Sequence, residues 1–211
     1  MLPIYAKTTM KILFSPFSPF VRKCLVSGME LGLNEHITLL PCSAHPVSRD
    51  HKIIAFNPLG KVPTFFTDDG LVLYDSRVVC EYLNDLAQGS LIPASGRARW
   101  ETLTLQSLGD GILDAAVLAR YEDAARPEAF RWNDWKVAQM DKVETSLAAL
   151  NTTPQLLADR VDIGSIAVGC ALWYLDLRFA DCGWRGRHAQ VAEWYAAFSQ
   201  RPAMATSWSL G

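Results

Sequence analysis

The sequence lacks several common motifs that identify a catalytic or nucleotide-binding site. It contains no phosphate-binding loop G-x-x-x-x-G-K-[ST], no nucleophile elbow G-x-S-x-G and no zinc-protease motif H-E-x-x-H. Its 20 basic residues face 22 acidic ones, so bulk positive charge does not predict binding to nucleic acid. The apolar content of 50% argues against intrinsic disorder, because it is enough to fill a folded core.

Long hydrophobic runs are also missing. The most apolar stretch, residues 166–175, lies between Asp162 and Asp176 and is much shorter than the ~20 residues of a membrane span. It predicts a buried core helix, and no membrane association is expected. Pro16 and Pro19 interrupt the N-terminal region, which argues against a secretory signal. Met10 is an alternative start, in which case the first nine residues are an unstructured extension.

The cysteine pattern excludes two further classes. The chain has five cysteines, an odd number with no C-x-x-C pair, so a disulfide framework is not expected. Reduced, mostly buried thiols in a cytoplasmic protein are predicted instead. Cys42, His45 and His51 lie close together in the sequence, but their spacing fits no standard zinc pattern, and no metal site is predicted.

What is present divides the chain into two parts. Apolar runs at residues 12–14, 37–40, 62–66 and 71–74 predict strands, and residues 21–31, 47–55 and 78–86 predict helices. The order of elements is therefore β-α-β-α-β-β-α. A Gly/Ser/Pro-rich segment at residues 88–96 reads as a linker, and helical patterns follow it. We thus predict an α/β domain at residues 10–87 and an all-helical domain at residues 97–211.

Within the helical part, two features bear on local structure. Gly109 and Gly111 interrupt the first helical stripe, and each weakens a helix by ~1 kcal/mol, so a bend is expected there. Residues 163–179 are apolar nearly all round, which is typical of a central buried helix.

Three short segments of the α/β part are candidates for chemistry, and each also has a purely structural interpretation. Ser18-Pro19 is a good helix start, because serine is a favoured N-cap and proline a favoured first residue. The same geometry would stabilise a thiolate, since a helix N-terminus carries unpaired N–H groups and partial positive charge.

Val62-Pro63 is either an ordinary edge-strand proline or a cis peptide that turns the Val62 backbone outward to pair with a peptide-like ligand. Asp75-Ser76 is either a plain N-cap pair or a site where Ser76 and a helix N-terminus receive a carboxylate while Asp75 accepts an ammonium group. The predicted order of elements allows all three segments to converge on one edge of the sheet.

Four segments taken in order carry a resemblance that covers nearly the whole chain. They are Ser18-Pro-Phe-Val-Arg-Lys23, Asn57-Pro-Leu-Gly-Lys-Val-Pro63, Leu73-Tyr-Asp-Ser-Arg77 and Asp159-Arg-Val-Asp-Ile-Gly-Ser-Ile-Ala167. With these segments the sequence resembles a soluble glutathione transferase of the serine type. The resemblance implies a thioredoxin-like N-terminal domain, an all-helical C-terminal domain, usually a homodimer, and a cis bond before Pro63.

The resemblance also implies roles for individual residues. Glutathione would lie across the three segments as a co-substrate, with Ser18 as the catalytic residue and Ser15, then Phe17, as the alternatives. The residues implied in glutathione binding are Phe20, Arg49, Lys61, Val62, Pro63, Asp75 and Ser76. A pocket for a hydrophobic second substrate is expected near Phe17, Arg120, Tyr121 and Trp173, although ordinary packing explains each of these too.

The chemistry expected from the resemblance is attack of the glutathione thiol on a hydrophobic electrophile, or reduction of a peroxide. Thiol exchange is disfavoured because no cysteine occupies the Ser18 loop and Cys24 lies further along the helix. The alternative is a non-catalytic binding or regulatory module of the same fold.

Two positions depart from the usual pattern of the family. Asp75 stands where glutamate is commoner, which shortens the reach to a ligand by one methylene. At the start of the buried helix, Ser165 is expected to be a weaker return partner for the Asp162 cap than a carboxylate would be.

Overall fold

The structure is a computed structural model that describes residues 9–206. The extension predicted before Met10 falls almost entirely outside these residues, as do the last five residues of the predicted helical domain. The chain divides into two compact units, the first of which ends at Gly89 and the second of which runs from Ser90 to Thr206.

A four-stranded mixed sheet organises the first unit. Its strands, in chain order, are β1 (Met10–Phe14), β2 (Ile37–Pro41), β3 (Phe65–Phe66) and β4 (Val72–Leu73), and their spatial order is β2-β1-β3-β4. β1 runs parallel to β2 and antiparallel to β3, and β4 runs antiparallel to β3. The helices are α1 (Pro19–Glu30), α2 (His51–Ile54) and α3 (Ser76–Leu86). The predicted order β-α-β-α-β-β-α is confirmed.

Burial along β1 explains why this strand lies in the middle of the sheet. Ile12, Leu13 and Phe14 are buried in succession, which requires cover on both faces of the sheet. Because β1 and β2 are parallel, a crossover must connect them, and α1 provides it. α1 ends before Gly32, whose φ of +72° is the left-handed conformation that glycine adopts most easily.

Several predicted elements of the first unit are shorter in the structure than the sequence suggested, above all the helix at residues 47–55 and the strand at residues 62–66. The helix expected at residues 47–55 is limited to α2, because the ring of His45 accepts the backbone N–H groups of Val47 and Ser48 and holds them in a loop. The strand expected at residues 62–66 is limited to β3. Pro63 has no N–H to donate, and the Lys61 carbonyl accepts side-chain hydrogen bonds instead of ladder bonds.

The second unit is helical throughout its described part. Its α-helices are α4 (Gly96–Ala124), α5 (Asn133–Thr152), α6 (Ile163–Arg178), α7 (Trp184–Arg187), α8 (Ala189–Phe198) and α9 (Pro202–Ala205). α6 is buried along nearly its whole length, as its apolar composition predicts. The thioredoxin-like first unit followed by a helical region confirms the predicted fold class.

Gly109 lies where α4 packs closely against α6. α4 is one continuous helix, and a Cβ atom on Gly109 would lie 2.7 Å from the Ala167 carbonyl carbon and 2.7 Å from the Val168 nitrogen of α6. The glycine therefore permits close approach of two helices. Within the described residues, a Cβ atom added to Gly111 would have no neighbour within 4 Å beyond the adjacent part of α4, so this glycine is not required for packing.

A capping box closes the start of α6. The Ser165 N–H donates to the Asp162 carboxylate at 2.9 Å, and the Asp162 N–H donates to the Ser165 hydroxyl at 3.0 Å. This reciprocal capping box is complete with serine as the return partner, because the short side chain is fully buried directly beside the cap.

Between residues 9 and 206, no single helix has the length and apolar character needed to cross a membrane. Within the described part of the chain, one bent pair meets that criterion when its two helices, Ile163–Arg178 and Ala180–Arg187, are taken together; their axes differ by 101°.

Candidate functional site

Ser18 occupies the N-cap of α1, four residues after the end of β1. The Val21 N–H donates to the Ser18 hydroxyl oxygen at 3.3 Å, and Pro19 is the first helical residue. The cap uses a lone pair of the oxygen, so the hydroxyl hydrogen can still be donated to another acceptor. The first turn of α1 carries no acidic side chain, so nothing there offsets the positive end of the helix dipole.

The neighbours of Ser18 define the surface of this turn. The Ser18 N–H donates to the Ser15 carbonyl at 3.1 Å, which folds the loop back toward β1. Ser15 is half-buried and precedes the helix, so it lacks the cap position of Ser18. Phe17 is 56% exposed, and Phe20 is half-buried in the first turn of α1.

The Val62–Pro63 peptide bond is cis, as the resemblance implied. The loop that carries it is built around Asn57, a buried residue to which the sequence analysis gave no role in the site. The Asn57 amide donates to the Lys61 carbonyl at 3.1 Å and to the Thr64 hydroxyl at 3.0 Å. The Thr64 hydroxyl donates to the same Lys61 carbonyl at 3.0 Å. Asn57 and Thr64 therefore hold the backbone on both sides of Val62.

Arg49 lies against the same loop. Its guanidinium donates to the Pro58 carbonyl at 2.6 Å. It also covers Gly60, where an added Cβ would lie 3.0 Å from the Arg49 Nε and where φ is +65°. Gly60 is thus required both by its left-handed conformation and by the guanidinium above it. Lys61, the other predicted ligand of a carboxylate, is exposed.

Asp75 caps α3 and is paired with a residue that sequence reasoning missed. Its carboxylate accepts the Arg77 N–H at 2.9 Å and the Arg77 guanidinium at 2.8 Å. The hydrogen bond from the Arg77 side chain is the main reason that the pKa of Asp75 lies below its usual value, and the charge of buried Lys23 also lowers it. The peptide bond between Tyr74 and Asp75 is cis.

Ser76 is the first residue of α3 and is buried. Its carbonyl accepts a hydrogen bond from the Cys24 thiol at 3.8 Å, which links the start of α3 to α1. Cys24 is itself buried, as expected from its position beyond the first turn of α1.

The sheet register brings the three predicted segments to one end of the first unit. Ile12 pairs with Phe65, and the Leu13 N–H donates to the Thr64 carbonyl, so the end of β1 lies beside the start of β3. Phe65 pairs with Leu73, so the end of β4 lies at the same place. Ser18 follows β1, Pro63 precedes β3 and Asp75 follows β4. A cis-proline backbone and two helix N-termini therefore share this end of the sheet.

The residues predicted for a second-substrate pocket lie in different units. Phe17 belongs to the first unit, whereas Arg120 and Tyr121 lie on α4 and Trp173 lies on α6 of the second. Burial raises the pKa of Tyr121 and that of Tyr174, and the charges of Arg178 and Arg120 oppose the shift at Tyr174. The helices α4 and α6 thus carry a cluster of tyrosine and arginine side chains, of which Tyr174 and Arg178 were not predicted.

The cysteines and histidines give no sign of a metal centre in the described residues. No group of three or more His, Cys, Asp or Glu side chains between residues 9 and 206 could hold a metal ion. The thiol of Cys42 donates to the Phe14 carbonyl, and burial raises its pKa to about 11. It therefore stays a neutral thiol at physiological pH.

Comparison with known proteins identifies the family. The N-terminal domain of glutathione S-transferases matches residues 17–86, and the C-terminal domain matches residues 115–197. A glutathione transferase family member from Pseudomonas fluorescens Pf-5, crystallised with bound glutathione, has a TM-score of 0.91 and 42% identity. The alignment covers 96% of this chain and 100% of that one.

Two curated proteins are also similar. The uncharacterized GST-like protein YibF of Escherichia coli K12 is 34% identical over 180 residues, which are 83% of this chain and 86% of that protein. Elongation factor 1-gamma of Danio rerio is 25% identical over 159 residues, which are 71% of this chain but only 34% of that protein. The two matched domains cover well over half of the sequence, and the chain belongs to the glutathione S-transferase family.

Proposed function

We propose that this protein is a glutathione transferase that binds glutathione at the shared end of the sheet and activates its thiol. The observation that carries the proposal is the position of Ser18 at the N-cap of α1. Its hydroxyl hydrogen and the N–H groups of the first turn would face a thiolate placed there. Both favour the charged form of the thiol, which is the nucleophile.

The other residues at this end of the sheet would contact a peptide-like ligand. We propose that the Val62 backbone pairs with the cysteinyl backbone of glutathione, next to the cis-proline Pro63. The hydroxyl of Ser76 and the start of α3 would receive the γ-glutamyl carboxylate, and Asp75 would accept the neighbouring ammonium group. Phe20 would pack beside the ligand from the first turn of α1.

Lys61 and Arg49 are the proposed partners of the glycyl carboxylate. Lys61 is exposed, whereas the Arg49 guanidinium already donates to the Pro58 carbonyl. Lys61 is therefore the stronger candidate for direct contact. Arg49 would act mainly by holding the loop that carries Val62.

The proposed reaction is attack of the glutathione thiolate on a hydrophobic electrophile, or on a hydroperoxide. The protein would supply orientation and electrostatic stabilisation rather than a covalent intermediate. Serine cannot form a mixed disulfide, which disfavours thiol exchange at this position. A cytoplasmic homodimer is the expected form of the protein.

Binding and turnover can be tested separately. Retention on glutathione-agarose and a rise in the melting temperature with millimolar glutathione would support binding. Turnover of a chlorodinitrobenzene-type electrophile or of an organic hydroperoxide would then support catalysis. A variant with Ser18→Gly is the best control. Glycine at an N-cap costs only a few tenths of a kcal/mol relative to serine, so the helix persists while the hydroxyl is lost.

A second candidate is a non-catalytic module, and the similarity to elongation factor 1-gamma favours it. Glutathione binding without turnover of either substrate class would support this alternative. Absence of both binding and turnover would contradict the transferase proposal entirely.

A further inference from the structure

Two buried cysteines face each other between α1 and α3. The Sγ atoms of Cys24 and Cys80 are 3.9 Å apart, and each residue is 1% exposed. Both are reduced, and they come from distant parts of the sequence. The contact therefore depends on the packing of α1 against α3 and not on local chain geometry.

The other three cysteines are placed differently. Cys42 donates to the Phe14 carbonyl at 3.5 Å, and Cys170 and Cys182 belong to the second unit. The Cys24–Cys80 contact lies within the first unit, where a shift of about 2 Å brings the two sulfurs to the 2.05 Å of a disulfide.

Cys24 follows two basic residues in the chain. Arg22 and Lys23 precede it in α1 and are both buried. The thiolate of a cysteine, rather than its thiol, is the form that reacts with oxidants.

We propose that Cys24 and Cys80 form a redox-active dithiol that a hydroperoxide converts to an intramolecular disulfide. One thiolate attacks the peroxide oxygen, which releases an alcohol and leaves a sulfenic acid. The second sulfur then attacks the sulfenic sulfur and releases water. Two thiols and one hydroperoxide thus yield one disulfide, one alcohol and one water.

The disulfide would act at the proposed glutathione-binding end of the first unit. α1 begins after Ser18, and α3 begins at Ser76, whose carbonyl accepts the Cys24 thiol. Oxidation removes that S–H donor and joins the two helices covalently. Cross-linking residues 24 and 80 also restricts the unfolded chain, so the melting temperature should rise by about 5 °C or more.

The test does not depend on any glutathione activity. The parent variant carries Cys42→Ser and Cys182→Ser, which removes the two partly exposed thiols. It is treated with tert-butyl hydroperoxide and denatured. Its mass is then determined by mass spectrometry before and after alkylation. The expected product is lighter by two hydrogen atoms before alkylation, takes up two fewer alkyl groups, and yields a cross-linked peptide that contains Cys24 and Cys80. Dithiothreitol should reverse all three changes and the shift in melting temperature.

Matched variants decide the assignment. Cys24→Ala and Cys80→Ala, each in the parent background, should not form the disulfide. The proposal is overturned if the parent keeps both thiols open to alkylation after oxidation, or if the cross-link joins Cys170 instead. Should either alanine variant fail to fold, peptide mapping of the parent alone gives the same decision.

Discussion

The side-chain amide of Asn57 donates to the hydroxyl of Thr64 at 3.0 Å inside the first unit, and both residues are buried. The two side chains meet at the Lys61 carbonyl and enclose the Val62–Pro63 bond between them. The backbone proposed to bind glutathione is therefore held by a buried polar network.

Replacing Asn57 should weaken glutathione binding through the shape of this loop. Asn57→Ala removes two donated hydrogen bonds and the oxygen that accepts the Leu59 N–H, which should cost about 1–3 kcal/mol of stability. We expect the Kd for glutathione to rise several-fold while kcat changes less. Calorimetric titration with unchanged affinity in Asn57→Ala would contradict this role.

The ion pair between Asp75 and Arg77 should set the acidic limit of glutathione binding. Arg77 keeps the pKa of Asp75 below its usual value, so the carboxylate stays charged until the pH falls through that lowered pKa. In Arg77→Gln the pKa should return toward ~3.9, and the loss of affinity on acidification should begin at a higher pH. Titration of the two proteins from about pH 6 downward with the same ligand isolates this shift. If the wild type and Arg77→Gln lose affinity over the same pH range, Asp75 does not bind the ammonium group.

Two glycines in α4 should respond oppositely to alanine. Gly109→Ala places a methyl group 2.7 Å from backbone atoms of α6 and should cost about 1–3 kcal/mol. Gly111→Ala meets open space and should be neutral or stabilise the helix by up to ~1 kcal/mol. Urea midpoints measured for both variants test the close packing of α4 on α6. Equal stability of the two variants would contradict it.

The capping box of α6 should contribute measurably to the free energy of unfolding of the second unit. Ser165→Ala leaves the Asp162 N–H without its buried acceptor and should cost about 1–3 kcal/mol. Ser146→Ala is the control, because that exposed hydroxyl only bonds the Lys142 carbonyl on its own helix. Thermal melts of the two variants should differ by several degrees, and overlapping melts would mean that serine is a dispensable return partner.

Periodicity and capping residues predicted much of the fold. Alternation and helical spacing gave the order of elements in the first unit, and Ser18 and Asp75 cap the helices where N-cap preference placed them. The extent of α2 and β3 could not be predicted, because it depends on hydrogen bonds from His45, Asn57 and Thr64 that compete with regular structure. The close approach at Gly109 could not be predicted, because the backbone that it contacts lies on α6, far away in the sequence.

The candidate site likewise contains residues whose positions could be predicted from the sequence and contacts that could not. The residue types at Ser18, Pro63 and Ser76 signal helix ends and a strand proline, so their positions were foreseeable. The pairing of Asp75 with Arg77 and the contact of Arg49 with the Pro58 carbonyl depend on side-chain conformations that the sequence does not specify. A polar residue in a turn, such as Asn57, is the one signal that could have indicated the supporting network.

The pKa of the glutathione thiol in the complex tests the central claim most directly. Thiolate absorbance is titrated against pH for glutathione bound to the wild type, to Ser18→Gly and to Ser15→Ala. We expect the wild type and Ser15→Ala to lower the thiol pKa by about one unit or more below that of free glutathione, and Ser18→Gly to lose most of that shift. A bound thiol with the pKa of free glutathione in the wild type, or an equal shift in Ser18→Gly, would contradict activation by Ser18.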